Sequence, residues 1–133
     1  MSTNSSITAK CDDGKFRSVY CHWDGYPEHN GKVLLEDFTD QKKIEQLMSL
    51  GDLSLLDSSI ECPEGHSFDN KVEGHSIFYG RDRGEDDVSC LVRDSKEECL
   101  KANTQEYDYF WDGTEWFVNG KLLADVLLEG TLE

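Results

Sequence analysis

Apolar residues fall in short runs along this chain, divided by turn-forming clusters, and each run predicts a short element. Ser5–Lys10 reads as an edge strand. Asp12-Asp13-Gly14 reads as a turn, and Phe16–Trp23 as a strand that pairs back on the first. Alternation places Cys21 on the core face with Val19 and Trp23, and Tyr20 with His22 on the other. Tyr26-Pro27 breaks the strand. Lys32–Phe38 has a short helical pattern. Thr39 or Asp40 can cap a second helix, in which Ile44, Leu47 and Met48 share one face and which Gly51 stops.

Residues 57–74 are polar and read as a long loop. Ile77–Arg81 and Val88–Arg93 read as strands. Ser95 caps a short helix through Ala102, with Glu97 and Glu98 where the helix dipole favours acid. Glu106–Trp111, Asp112-Gly113 and Glu115–Val118 form a β-hairpin pattern. A two-residue loop would set Tyr109 opposite Trp116, with Tyr107, Trp111 and Val118 on the same face. Asn119-Gly120 is another turn, and the apolar stretch Leu122–Leu128 fits helix or strand equally well. Together these predict an α+β domain spanning 1–133, an antiparallel sheet of about five or six strands with two or three helices packed on one side.

Charge narrows the range of partners. The chain holds 13 basic and 28 acidic residues, net −15. Such a field repels nucleic acid and anionic membranes and attracts a basic protein surface, so neither direct nucleic-acid binding nor membrane binding is expected. Three tryptophans, five tyrosines and six phenylalanines argue for a packed core despite that charge. The five cysteines are odd in number and lack a CxxC pair. The N-terminus lacks the basic and apolar regions of a signal peptide. Both features point to free thiols in a reducing cytoplasm.

Candidate chemistry is sparse. A strand sets Cys21 and His22 on opposite faces, so that pair cannot act as nucleophile and base. Cys62, His66 and His75 form one loose pair and a stray ligand, where zinc needs two tight pairs. Glu85-Asp86-Asp87 lacks the alternating calcium-loop spacing. With no phosphate loop, dinucleotide fingerprint or nucleophile elbow, no cofactor, metal or catalytic set is expected. Arg81 and Arg83 would share one side of a continued strand, and with Tyr20, His22 and Asp24 could line a small-ligand or nucleotide pocket. Residues 104–133 carry seven acids against Lys121 alone. Glu106, Asp108, Asp112 and Glu115 of the hairpin are therefore the candidate surface for a basic partner, with Asp108 pointing away from the aromatic face.

Several landmarks occur in order: Asp13-Gly14, Val-Tyr-Cys-His-Trp-Asp-Gly-Tyr-Pro at 19–27, Gly31 with Leu34-Leu35, Gly51-Asp52-Leu53-Ser54, and Tyr-Gly-Arg-Asp-Arg-Gly-Glu at 79–85. From Ser5 to Val118 the chain resembles a family of short acidic proteins encoded by tailed phages and prophages. That resemblance carries no catalytic residues. It implies an accessory protein of the host cytoplasm that binds and inhibits a host protein. Nucleic-acid-processing or defence complexes are the expected targets, met in the manner of anti-CRISPR proteins that imitate phosphate charge.

Overall fold

The structure is a computed structural model that describes residues 3–132. Two strands, β1 (Ser5–Lys10) and β2 (Phe16–Cys21), pair antiparallel with Ile7 opposite Val19. A π-helical turn (Pro27–Gly31) runs into α1 (Lys32–Asp37), and α2 (Gln41–Leu50) follows. After β3 (Leu53–Leu55) comes a long loop, then β4 (Ile77–Phe78), α3 (Tyr79–Arg83) and β5 (Leu91–Arg93). The chain closes with α4 (Lys96–Ala102), the strands β6 (Tyr107–Trp111), β7 (Trp116–Val118) and β8 (Lys121–Leu122), and α5 (Leu123–Leu132).

The class is α+β, with more strands than expected: eight, in the order β4-β3-β2-β1-β6-β7-β8, with β5 also on β2. The sheet is mixed rather than antiparallel, since β1 runs parallel to β6 and β2 parallel to β3. Parallel neighbours need long crossovers, and here helices fill them: α1 and α2 lie between β2 and β3. Ser5–Lys10 is therefore not an edge strand. It lies between β2 and β6, and its polar side chains are matched by neighbours: Thr8 and Ser18 hydroxyls are 2.8 Å apart, and Ser6 donates to Asp108 at 2.6 Å.

One sheet face carries Ile7, Ala9, Val19, Cys21, Tyr109, Trp111, Trp116 and Val118 against Leu34 of α1, Ile44, Leu47 and Met48 of α2, and Leu123 of α5. The periodicity read in α2 thus marks its buried face. Asp40 precedes α2, but its side chain makes no capping bond. Ser95 does cap α4, accepting from the Glu98 N–H. That helix packs on the second sheet face, where Asn103 donates to Ser18 at 3.0 Å and Lys96 sits over the Phe110 ring. The expectation that all helices share one side fails here, because Phe16, Ser18 and Phe110 give the second face something to cover.

Four local expectations also change. The strand expected over Ile77–Arg81 stops at Phe78 and becomes α3, because the Asp82 carboxylate reaches back to the Phe78 N–H at 2.8 Å and Gly84 ends the turn left-handed. Strand β5 begins at Leu91, not Val88: the Val88 carbonyl bonds instead to the Asp52 N–H. Strand β2 ends at Cys21, so Trp23 leaves the core face and is 44% exposed. The β6–β7 loop holds four residues, 112–115, so Trp111 pairs with Trp116 and Tyr109 with Val118. The Asp112 carboxylate sets that length by accepting the N–H groups of Thr114 and Glu115. A two-residue shift preserves the face, so the aromatic set stays inward. Asn119 and Gly120 both have positive φ and form the tight turn to β8, while Leu122–Leu128 resolves into the end of β8 and the start of α5.

Among the described residues, no helix is long and apolar enough to cross a membrane.

Candidate functional site

The four hairpin acids divide into two kinds. Asp108 accepts from the Ser6 hydroxyl at 2.6 Å and the Gln105 N–H at 2.9 Å, on the face away from the aromatics. The Asp112 carboxyl, half-buried, is held below the usual carboxylate range. Its burial works against this, but the Glu115 and Thr114 N–H groups and the Thr114 hydroxyl outweigh it. Both acids are committed to the fold. Glu106 and Glu115 are exposed and lie beyond opposite ends of β6. Asp125 and Glu129 on α5 are exposed as well. None of the ion pairs among the described residues uses Glu106, Glu115, Asp125 or Glu129.

Beside Glu115 lies a cleft of about 110 Å³. Trp111, Trp116, Leu35 and Leu122 line it, with Thr114 and Glu115. The hairpin, α1 and the start of α5 build it jointly. Trp111 donates its indole N–H to Gln41 Oε1 at 2.7 Å, and Trp116 donates to the Phe38 carbonyl at 2.8 Å, so both rings are fixed. The sequence places the two tryptophans on one hairpin face, but it does not show that Leu35 and Leu122, distant in the chain, meet them.

The second candidate set is only partly assembled. Tyr20 and His22 share the second face, with the Tyr20 hydroxyl 2.7 Å from His22 Nδ1 and Asn4 Nδ2 3.4 Å from the same nitrogen. A hydroxyl and an amide thus flank one nitrogen of the His22 ring. Asp52 ties this segment to the next: its carboxylate accepts the Tyr20 N–H at 2.9 Å and its carbonyl the Tyr79 N–H at 3.1 Å. Burial raises the Tyr20 and Tyr79 hydroxyls and the Asp52 carboxyl above their ordinary values. Asp24, left-handed at φ 55°, accepts from the Tyr26 hydroxyl at 3.3 Å. Gly25 follows because an added Cβ would lie 2.9 Å from the Asn4 backbone.

The arginines do not join them. On helical α3, positions 81 and 83 point to different sides, where a strand would have aligned them. Arg81 binds Asp82, donates to the Ile60 and Ser76 carbonyls, and covers the Phe78 ring at 4.8 Å. Arg83 lies over Phe68 at 4.6 Å and meets Glu85 at 3.5 Å. No guanidinium clamp forms between them.

The Cys62–His66 pair belongs to the long loop. His66 Nε2 donates to the Ser76 carbonyl at 3.0 Å and Nδ1 accepts the Val72 N–H at 3.0 Å, so both ring nitrogens are used. Among the described residues, no three His, Cys, Asp or Glu side chains are placed to hold a metal. All five cysteines are free; Cys62 is exposed, while burial pushes the Cys21 thiol up to about 11 despite the Asn30 hydrogen bond.

These features define an α+β protein with a mixed eight-stranded sheet, an acidic hairpin and an aromatic-lined cleft. Compared with family models, with curated proteins and with solved structures, the chain matches none of them.

Proposed function

We propose that this chain is a binding protein that docks its acidic hairpin–α5 side on the basic surface of another protein. In the phage setting implied by the sequence resemblance, that partner is a host nucleic-acid-processing or defence complex, which the chain inhibits from the host cytoplasm. The observation that carries this reading is a net charge of −15 whose C-terminal acids Glu106, Glu115, Asp125 and Glu129 are exposed and unused by the ion pairs described. Charges left free in this way steer association with an opposite surface. The rival small-ligand reading loses support because Arg81 is committed to Asp82 and the Ile60 carbonyl, while Arg83 lies apart from it over Phe68.

The experiment is capture from host lysate by the tagged chain at low and high salt. It compares wild type with a Glu106→Lys, Glu115→Lys, Asp125→Lys variant and with His22→Ala. The expected result is a stoichiometric partner held by wild type and His22→Ala at low salt, then lost at high salt and in the charge-reversed variant. Exposed charges are screened over about 8 Å at physiological ionic strength, which makes salt the diagnostic. Salt-insensitive capture abolished by His22→Ala would favour the small-ligand reading instead.

A further inference from the structure

The loop after β2 joins a pinned backbone to exposed aromatic rings. The Trp23 N–H donates to the Ser54 carbonyl at 2.9 Å and the Gly25 N–H to the Thr3 carbonyl at 2.8 Å. The Tyr109 hydroxyl donates to the Gly25 carbonyl at 2.6 Å, and the Asn30 N–H to that of Asp24 at 3.2 Å. These contacts sustain the left-handed backbone of Asp24, at φ 55°. On this frame Trp23 is 44% and Tyr26 36% exposed, and among the described residues no other aromatic side chain is as open. Asp24 Oδ1 accepts from the Tyr26 hydroxyl at 3.3 Å. The Asp24 carboxylate, with Glu28 adding, pushes that hydroxyl above its ordinary value, so both acids act on Tyr26 through space. Neither acid enters the ion pairs among the described residues, and no Lys or Arg lies between Arg17 and Lys32. The nearby histidines are engaged: His22 Nδ1 is 2.7 Å from the Tyr20 hydroxyl, and His29 Nε2 donates to the Leu56 carbonyl at 3.1 Å. Elsewhere cations cover the rings of Phe38, Phe68, Phe78 and Phe110; among the described residues none lies over Trp23 or Tyr26.

We infer that the Trp23–Tyr26 loop is a second contact surface for the partner protein, on which the open indole and phenol rings pack against arginine side chains held by Asp24 and Glu28. This rests on the reading above that the partner is basic, and it adds a contact outside the hairpin. Charge complementarity selects the occupant, because exposed rings beside unpaired carboxylates favour a cation that can also stack. Arginine meets both demands: its planar head lies on an aromatic face and its donor fork fits a carboxylate. Trp and Tyr are enriched among the residues that carry most of an interface's energy, and a loop already held in shape loses little freedom on binding.

The test titrates the full chain with the blocked pentapeptide acetyl-Gly-Arg-Gly-Arg-Gly-amide and with its uncharged citrulline counterpart, reading the three indole N–H signals by NMR. The arginine peptide should shift the Trp23 signal saturably and leave buried Trp111 and Trp116 unmoved. Citrulline, and separately Asp24→Asn, should weaken binding about tenfold, the loss of one charge-assisted contact. Asparagine tolerates the left-handed backbone at position 24, so that variant keeps the shape of the loop. Tyr26→Ala, at an exposed position, should weaken binding severalfold while the unfolding midpoint holds. Equal response to both peptides, no saturable Trp23 shift, or an unaltered response in Asp24→Asn would overturn the inference. Lysate capture with the double variant Trp23→Ala, Tyr26→Ala separates the two readings, and loss of the partner in it is expected. Salt-sensitive capture that the double variant leaves intact discards the loop and keeps acidic docking; failure of salt-sensitive capture in wild type, with the Trp23 shift present, discards the docking reading alone.

Discussion

Trp111 and Trp116 stand opposite each other across the β6–β7 hairpin with ring centroids 5.4 Å apart, and their indoles grip the same helix joint. Phe38, which accepts from Trp116, is the residue after α1. Gln41, which accepts from Trp111, is the first residue of α2. The hairpin is thereby fastened to the joint between the two helices that cover the sheet.

Truncation should measure that fastening. Trp116→Ala removes a nearly fully buried ring and should cost roughly 3–5 kcal/mol. Trp111→Phe keeps most of the packing and loses the bond to Gln41, and should cost about 0.5–1.5 kcal/mol. Urea unfolding followed by circular dichroism reads both. An unchanged midpoint for Trp116→Ala would contradict the packing described.

The hairpin acids should separate by role. Asp108→Ala leaves the Ser6 hydroxyl and the Gln105 N–H without their acceptor, so it should lower stability by roughly 1–3 kcal/mol. Glu106→Ala and Glu115→Ala, both exposed, should stay within about 0.5 kcal/mol of wild type. Partner binding should respond in the reverse order once folding is matched. Equal stability in all three variants would mean that Asp108 is a surface acid after all.

Acid should weaken the long loop through Asp82. Its side chain is wholly buried; burial alone would raise the carboxyl, but the Arg81 guanidinium, the Phe78 N–H and nearby His66 hold it below the ordinary range. A carboxyl lowered on folding stabilises above its unfolded value, about pH 3.9, and that contribution is lost as pH falls through the lower folded value. Asp82→Ala should therefore cost about 3 kcal/mol at neutral pH, the low end for breaking a buried pair, since Arg81 keeps some solvent contact. The gap from wild type should narrow as acid protonates the native carboxyl. Urea midpoints at neutral pH and near pH 2 check this, and a gap that widens in acid would reverse the assignment.

What was legible in the sequence was local. The period of Ile44, Leu47 and Met48, the Ser95 cap, the Asn119-Gly120 turn and the inward aromatic face of the hairpin each depend on residues a few positions apart, whose geometry the backbone dictates. The net charge and the separation of Cys21 from His22 follow the same way. Tertiary structure decided what depends on distant partners. Thr8 and Ser6 look like solvent-facing edge residues until Ser18 and Asp108 meet them and β6 arrives alongside. The Asp82 carboxylate turns a strand-like segment into α3, which separates Arg81 from Arg83. Leu122–Leu128 has no local preference strong enough to choose a form, and its place follows from packing Leu123 into the core beside the tryptophans. The cleft exists only once α5 docks there, because a concavity needs walls from several elements and no single stretch of chain encodes one.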